Sequence, residues 1–485
     1  MTDDIATSGS DAGPAHSSGA PSGKGRPPRL RLAARTLLIL LALLLVLAAT
    51  LYLNRRAAAR ELLVGWLDRK GIDADVEVER LELNGFVGKV SIGDPKNPDF
   101  KVERVEVDYA VGLPWSKAGL GVTPSRVRLV RPIVRAAWKD GKLSLGSLDP
   151  LVEEFTGRPP KPDSRAPLVI VEGGQARLDT EYGPVRLLAD ARIDDGKLMR
   201  LSGRMPAASL KSGETEARGL AGVIEVTTVG DRTAVKLDAQ AERFAVAGVG
   251  GQGAALSLSG DLPYPDMKTR RGDGRIGLTA RLTADELAGA GTTARQAAAT
   301  MNFAGAVEGW LNAYSLKGEA KASATADRLQ GEGMEVRQAA LDLSRLTLST
   351  SGGTEGQEMK WRAASPLRLT AASGRFGENR LTQAVVASNA IQAGGKGAAF
   401  EVQGPATLTA RRLATGDVTL DGARGRLDFD LVRDSITRIS ATGALGADRV
   451  SAPVLGAPLA DDLPELAELK RALGAFALDA PEVRL

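Results

Sequence analysis

The chain is poor in side chains that do covalent or acid–base chemistry. It has no cysteine and a single histidine, His16, which sits among glycine, serine and proline close to the N-terminus. That excludes thiolate nucleophiles, cysteine-ligated zinc and a histidine general base within a folded domain. Aspartate and glutamate recur as neighbours of lysine and arginine, without a His/Asp/Glu constellation, a Gly-x-Ser-x-Gly elbow or a Gly-x-x-x-x-Gly-Lys phosphate cradle. Gly248-Val249-Gly250-Gly251-Gln252-Gly253 imitates a dinucleotide loop, but strand patterns surround it and no helix follows, so it reads as a β turn. Arg271-Gly272-Asp273 reads as a chance tripeptide. No enzyme activity, metal or cofactor is expected. What recurs is apolar alternation: Val105, Val107, Leu256, Leu258, Leu341 and Leu343 each stand between polar neighbours or close to them. Such a row can shield hydrocarbon from water, at about 0.8 kcal/mol per buried methylene.

The elements that would position this row begin with a membrane anchor. Thr36 to Leu53 is an uncharged run of eighteen residues, about 27 Å as a helix against a hydrocarbon core of roughly 30 Å. Leu37, Leu41, Leu44, Leu47 and Leu51 are its apolar markers within an expected span of 33–53. Lys24, Arg26, Arg29, Arg31 and Arg35 precede the run, whereas Arg55, Arg56 and Arg60 after it are partly offset by Glu61, which places the N-terminus in the cytoplasm. Residues 1–32 read as a disordered cytoplasmic tail, and everything after residue 53 falls outside the inner membrane. A cleaved signal peptide is the alternative, but the apolar run is too long for one. The net charge of +4 on 485 residues is too small and too evenly mixed for a nucleic-acid partner.

Residues 54–70 read as a juxtamembrane helix with Ala58, Leu62, Leu63, Trp66 and Leu67 on one stripe. Strand alternation follows through an N-terminal β domain over 71–157, with a bulge near Glu79, an edge proline at Pro132 and an Asp140-Gly141 hairpin. A short helix is expected from Leu148 to Phe155, then a proline linker over 158–166, and a further helix from Pro464 to Leu473. Residues 167–485 carry a repeat. Ala284-Asp285-Glu286-Leu287 recurs 42 residues later as Ala326-Asp327-Arg328-Leu329, and Arg295-Gln296-Ala297 recurs at the same step as Arg337-Gln338-Ala339. A fixed step implies growth in one direction. At ordinary strand lengths a unit of this size would hold three or four strands, giving about 30 to 35 strands in all.

The anchor, the segment Arg131-Pro132-Ile133-Val134-Arg135 leading into Asp140 to Leu145, the proline linker and Pro167 to Gly174 together resemble the AsmA-like inner-membrane proteins of Gram-negative bacteria, closest to the YdbH type. The resemblance covers about the first 200 residues and the repeating region in style. It implies kinship with TamB and the bridge-like lipid carriers, a periplasmic location and a lipid-lined β groove. Some relatives carry an older label of dicarboxylate transport.

The expected fold is mainly β, an N-terminal transmembrane helix followed by an extended, repetitive antiparallel sheet curled into a groove. The expected function is carriage of phospholipid between inner and outer membranes, with Val105, Val107, Leu256, Leu258, Leu341 and Leu343 lining the groove. The partners are the inner membrane, phospholipid and an outer-membrane or periplasmic protein. Two alternatives stand beside it: a TamB-like scaffold for outer-membrane protein assembly, and a dicarboxylate transport accessory. A further alternative for the apolar residues themselves is a closed sandwich.

Overall fold

A computed structural model describes residues 55–112, 121–139, 142–150, 165–246, 248–266, 271–289, 291–309, 313–353, 358–397, 399–416, 418–434, 437–451, 477–478 and 483–484. The expected transmembrane span, the linker at 158–164 and the helix at 464–473 lie outside the described residues. Among those described, no helix is long and apolar enough to cross a membrane.

Helix α1, Arg55–Asp68, is followed by three short strands and one long one: β1 Ala74–Leu81, β2 Gly85–Ile92, β3 Phe100–Gly112 and β4 Gly121–Lys139. Each pairs antiparallel with the next. The one-residue slip expected near Glu79 falls between Val78 and Arg80. A three-residue β5, Lys142–Ser144, turns back on β4. Of the helix expected from Leu148 to Phe155, residues 148–150 are described: Leu148 ends a 3-10 turn, Gly146–Leu148, and Asp149 and Pro150 are helical. Asp99 holds that turn by accepting from the Ser147 hydroxyl at 2.6 Å and the Ser147 amide at 2.9 Å.

The sheet then changes sense once. β6, Leu168–Thr180, lies parallel to β4, and from there the pairing is antiparallel in chain order through β7 Gly183–Asp194, β8 Lys197–Ser212, β9 Thr215–Val229, β10 Arg232–Val246, β11 Val249–Pro263 and β12 Gly274–Gly289. It continues through β13 Thr292–Glu308, β14 Tyr314–Gly331, β15 Met334–Gly352, β16 Lys360–Phe376, β17 Asn379–Lys396, β18 Ala399–Thr415, β19 Val418–Arg433 and β20 Thr437–Gly446. Short strands β21 Arg449–Ser451, β22 Ala477–Leu478 and β23 Val483–Arg484 finish it. The result is a single sheet of 23 described strands that does not close on itself.

Three expectations are corrected here. The 42-residue step is one hairpin of two long strands, because β9 to β19 run 15 to 19 residues each, about three times the ordinary strand length. Among the described residues there are accordingly 23 strands, fewer than 30 to 35. Pro132 is not at an edge, since β4 has partners on both sides; it sits in an irregularity beside Arg131, whose φ is 49°, where a missing N–H is tolerated. Only part of the α1 stripe is buried. Leu67 packs with Ile72, Val76 and Ile92, while Leu62, Leu63 and Trp66 stay exposed. Arg60 donates to the Val76 carbonyl at 2.9 Å and pairs with Asp75 at 3.0 Å, which occupies the outer edge of β1.

A line of left-handed residues crosses the sheet at one level: Gly219, Gly253, Gln296, Gln338, Gln383 and Gly422, with φ between 46° and 63°, on alternate strands from β9 to β19. Each stands opposite an unpaired residue of the neighbouring strand, so the register is the same on both sides of it, and Gly253, Gln296 and Gln338 fall 43 and 42 residues apart. The two sequence markers are therefore the two sides of one feature. Across β12 and β13, Ala284 pairs with Ala297, Glu286 with Arg295 and Leu287 with Ala294. Asp285 stands at the line, accepts from Gln296 Nε2 at 3.2 Å, and would collide with a methyl group added at Gly253.

A left-handed glutamine costs about 1–2 kcal/mol relative to glycine. Gln338→Gly should leave urea unfolding unchanged or shift it toward stability by up to about 1 kcal/mol, whereas Gln338→Val should destabilise by about 1–2 kcal/mol. Hydrogen bonds from Ser147 lower the Asp99 pKa, with Arg135 adding to the effect. Its contribution is present above the ordinary carboxylate pKa and lost as pH falls through the lowered folded value. The stability gap between the native chain and Asp99→Asn should shrink in acid, measured as urea midpoints across pH.

Candidate functional site

The six apolar residues singled out in the sequence fall on one face, and strand register shows how that face is built. Paired residues project to the same side, so following partners from strand to strand traces a row across the sheet. From Leu256 on β11 the row passes to Leu282, Ala299, Ala324, Leu341, Leu369, Val386, Leu408, Gly425 and Leu445 on β12 to β20. In the other direction it passes to Ala239, Gly222 and Met205 on β10, β9 and β8. Every member is apolar or glycine. A parallel row holds Leu258 and Leu343, linked through Ala280, Met301 and Ala322.

Val105 joins the same face despite its distance in sequence. It pairs with Leu129, which pairs with Val171 across the parallel β4–β6 junction, and the row runs on through Ala191, Leu201 and Val226 to Val235 on β10 and Gly260 on β11. Val107 lies one row over, between Phe86 and Val127. Thus Val105 and Val107 belong to the opposite end of the sheet from Leu341 and Leu343, yet the apolar face reaches both. Leu37, Leu41, Leu44, Leu47 and Leu51 lie outside the described residues.

Cover on these rows differs along the sheet: Val105 and Val226 are buried, whereas the β11 to β19 end stands open. Leu256, Leu369 and Leu427 retain 37%, 40% and 37% of their surface in the open, whereas the facing layers of a sandwich interdigitate. The buried side chains of the repeating strands are mostly small, such as Ala326, Ala339, Ala384 and Ala410, covered by their neighbours within the sheet.

Glycines shape the surface. A methyl group on Gly318 would stand 2.5 Å from Phe303 Cζ, one on Gly251 2.5 Å from Phe244 Cε1, and one on Gly395 2.7 Å from Trp361 Nε1. Each aromatic ring lies flat over a glycine and does not stand up from the sheet. Sequence reasoning missed these small residues, because absence of bulk carries no periodicity; the Ala-x-x-Leu markers were the available signal.

The opposite face is polar at the adjacent register. Asp238 pairs with Ser257, then Arg281, Thr300, Ser323 and Asp342 follow strand by strand. Toward β1, Arg128 bridges Glu106 at 3.3 Å and Glu172 at 2.7 Å. Arg104, then Arg128, lowers the Glu106 pKa, and Arg128 lowers that of Glu172. These are solvated cross-strand pairs, screened by water. Among the described residues no group of three His, Cys, Asp or Glu side chains could hold a metal ion.

Compared with protein-family models, curated proteins and solved structures, the chain matches none. The likeness to AsmA-like proteins accordingly rests on the residues quoted above and enters only the proposal below.

Gly260→Ala and Gly374→Ala should each cost about 1 kcal/mol by urea denaturation, because the added methyl would meet Leu278 Cδ2 at 2.8 Å and Leu381 Cδ1 at 2.9 Å. Gly277→Ala, with nothing within 4 Å, should be neutral or slightly stabilising.

Proposed function

We propose that this chain carries phospholipid through the bacterial envelope, anchored in the inner membrane by residues 33–53 and holding acyl chains along its apolar sheet face in the periplasm. The observation that carries the reading is the unbroken row from Met205 to Leu445, which crosses every strand from β8 to β20 without a charged or polar residue. A left-handed residue changes the direction of a strand, so a line of them at one level supports a sheet curled into a groove. An acyl chain of about a dozen methylenes laid along it would gain on the order of 10 kcal/mol. Exposed Leu62, Leu63 and Trp66 on α1 suit a helix resting at the membrane surface, where tryptophan is enriched. In this reading the chain is an AsmA-like protein of the YdbH type and works without catalysis or cofactor.

Photocrosslinking in cells tests it. Probes at Leu256 and Leu341 should capture phospholipid, while probes at their neighbours Ser257 and Asp342 on the other face should not. Leu256→Asp with Leu341→Asp should reduce lipid capture by a probe at Leu258 at least about tenfold by breaking the row. Capture of unfolded outer-membrane protein at Leu256 without lipid would favour the assembly scaffold instead.

A further inference from the structure

The apolar face is not uniform. Where the central row crosses β13 and β14, leucine gives way to Ala299 and Ala324, with Leu282 on one side and Leu341 on the other. The line of left-handed residues passes close by, and there Ala326 pairs with Ala339, both 7% exposed. Together these residues leave an apolar recess of about 310 Å³. Thr325 is the sole residue with a polar side chain in its lining.

We propose that this alanine window is a seat for a single unbranched hydrocarbon chain, the place where a lipid moving along the face comes to rest. Alanines form the floor, leucines form the walls, and the near absence of polar groups disfavours any ligand that must hydrogen-bond there. A chain lying across open leucines touches protein on one side only. In the window it drops between Leu282 and Leu341 and is contacted along its flanks, so contact per methylene is greatest at this point. The inference rests on the lipid-carrier reading and adds a preferred stopping point to it.

The test uses the full chain in detergent and a phospholipid bearing a fluorescent polyene acyl chain, whose emission rises away from water. Ala299→Leu with Ala324→Leu fills the window with the residue already found beside it, on a half-buried face with room for it. Dissociation constants should rise at least about tenfold, the loss expected when roughly two methylene contacts are displaced. Ser323→Leu, on the polar face of β14 beside Ala324, is the comparison and should change binding by less than about twofold. Unchanged urea midpoints show that the filled variant remains folded. Equal binding by the filled variant, the comparison and the native chain overturns the seat and leaves the carrier reading standing. No binding by the native chain overturns both.

Discussion

Register governs this sheet. Side chains alternate with a period of two residues, so a slip of one residue on any strand would turn its apolar set to the opposite face. Strands of 15 to 19 residues offer many chances for such a slip. The left-handed residues Gly219, Gly253, Gln296, Gln338, Gln383 and Gly422 fall at one level, so each hairpin changes phase where its neighbours do. The Ala-x-x-Leu segments of the intervening strands make the matching change: Leu282 and Leu287 line the same recess although five residues separate them. The apolar rows remain continuous on both sides of the line because every strand crosses it together.

Continuity matters because the stability of the sheet does not come from a thick core. Backbone hydrogen bonds are satisfied sideways, from strand to strand, and the apolar face gains only the cover that adjacent side chains give one another. Flat-lying Phe244, Phe303 and Trp361 over Gly251, Gly318 and Gly395 extend that cover without raising the surface. Half-exposed leucines at 256, 369 and 427 are the consequence. A soluble domain seldom exposes a large continuous apolar patch without a partner for it, and a one-dimensional row of nearly equal apolar contacts suits a long, thin, flexible partner best. Hydrocarbon chains have that form.

Alternation was legible in the sequence because it is local. Val105, Val107, Leu256, Leu258, Leu341 and Leu343 share one face because each phase is visible within a few residues. The 42-residue step was legible too, since every hairpin from β9 to β19 repeats a left-handed residue with its unpaired partner opposite. Strand length was not, and for a physical reason: a bulge breaks the alternation midway, so Leu341 and Leu343 read as a different strand from Leu346 and Leu348 although all four lie on β15. The parallel β4–β6 pairing was equally hidden, because nothing local in Pro167 to Gly174 names its neighbour. The alanine window was invisible for a similar reason, since Ala299 and Ala324 acquire meaning only when register sets them between Leu282 and Leu341.

The central claim, that one face of the sheet is apolar and left uncovered by protein, is tested most directly by spin labels at Leu256 and Ser257 in the full-length chain loaded with phospholipid. The account predicts that the label at Leu256 is relaxed by oxygen and shielded from a polar nickel chelate, and that the label at Ser257 is open to the chelate. A Leu256 label closed to both reagents, as inside a packed protein layer, or one that behaves like its neighbour, would contradict it.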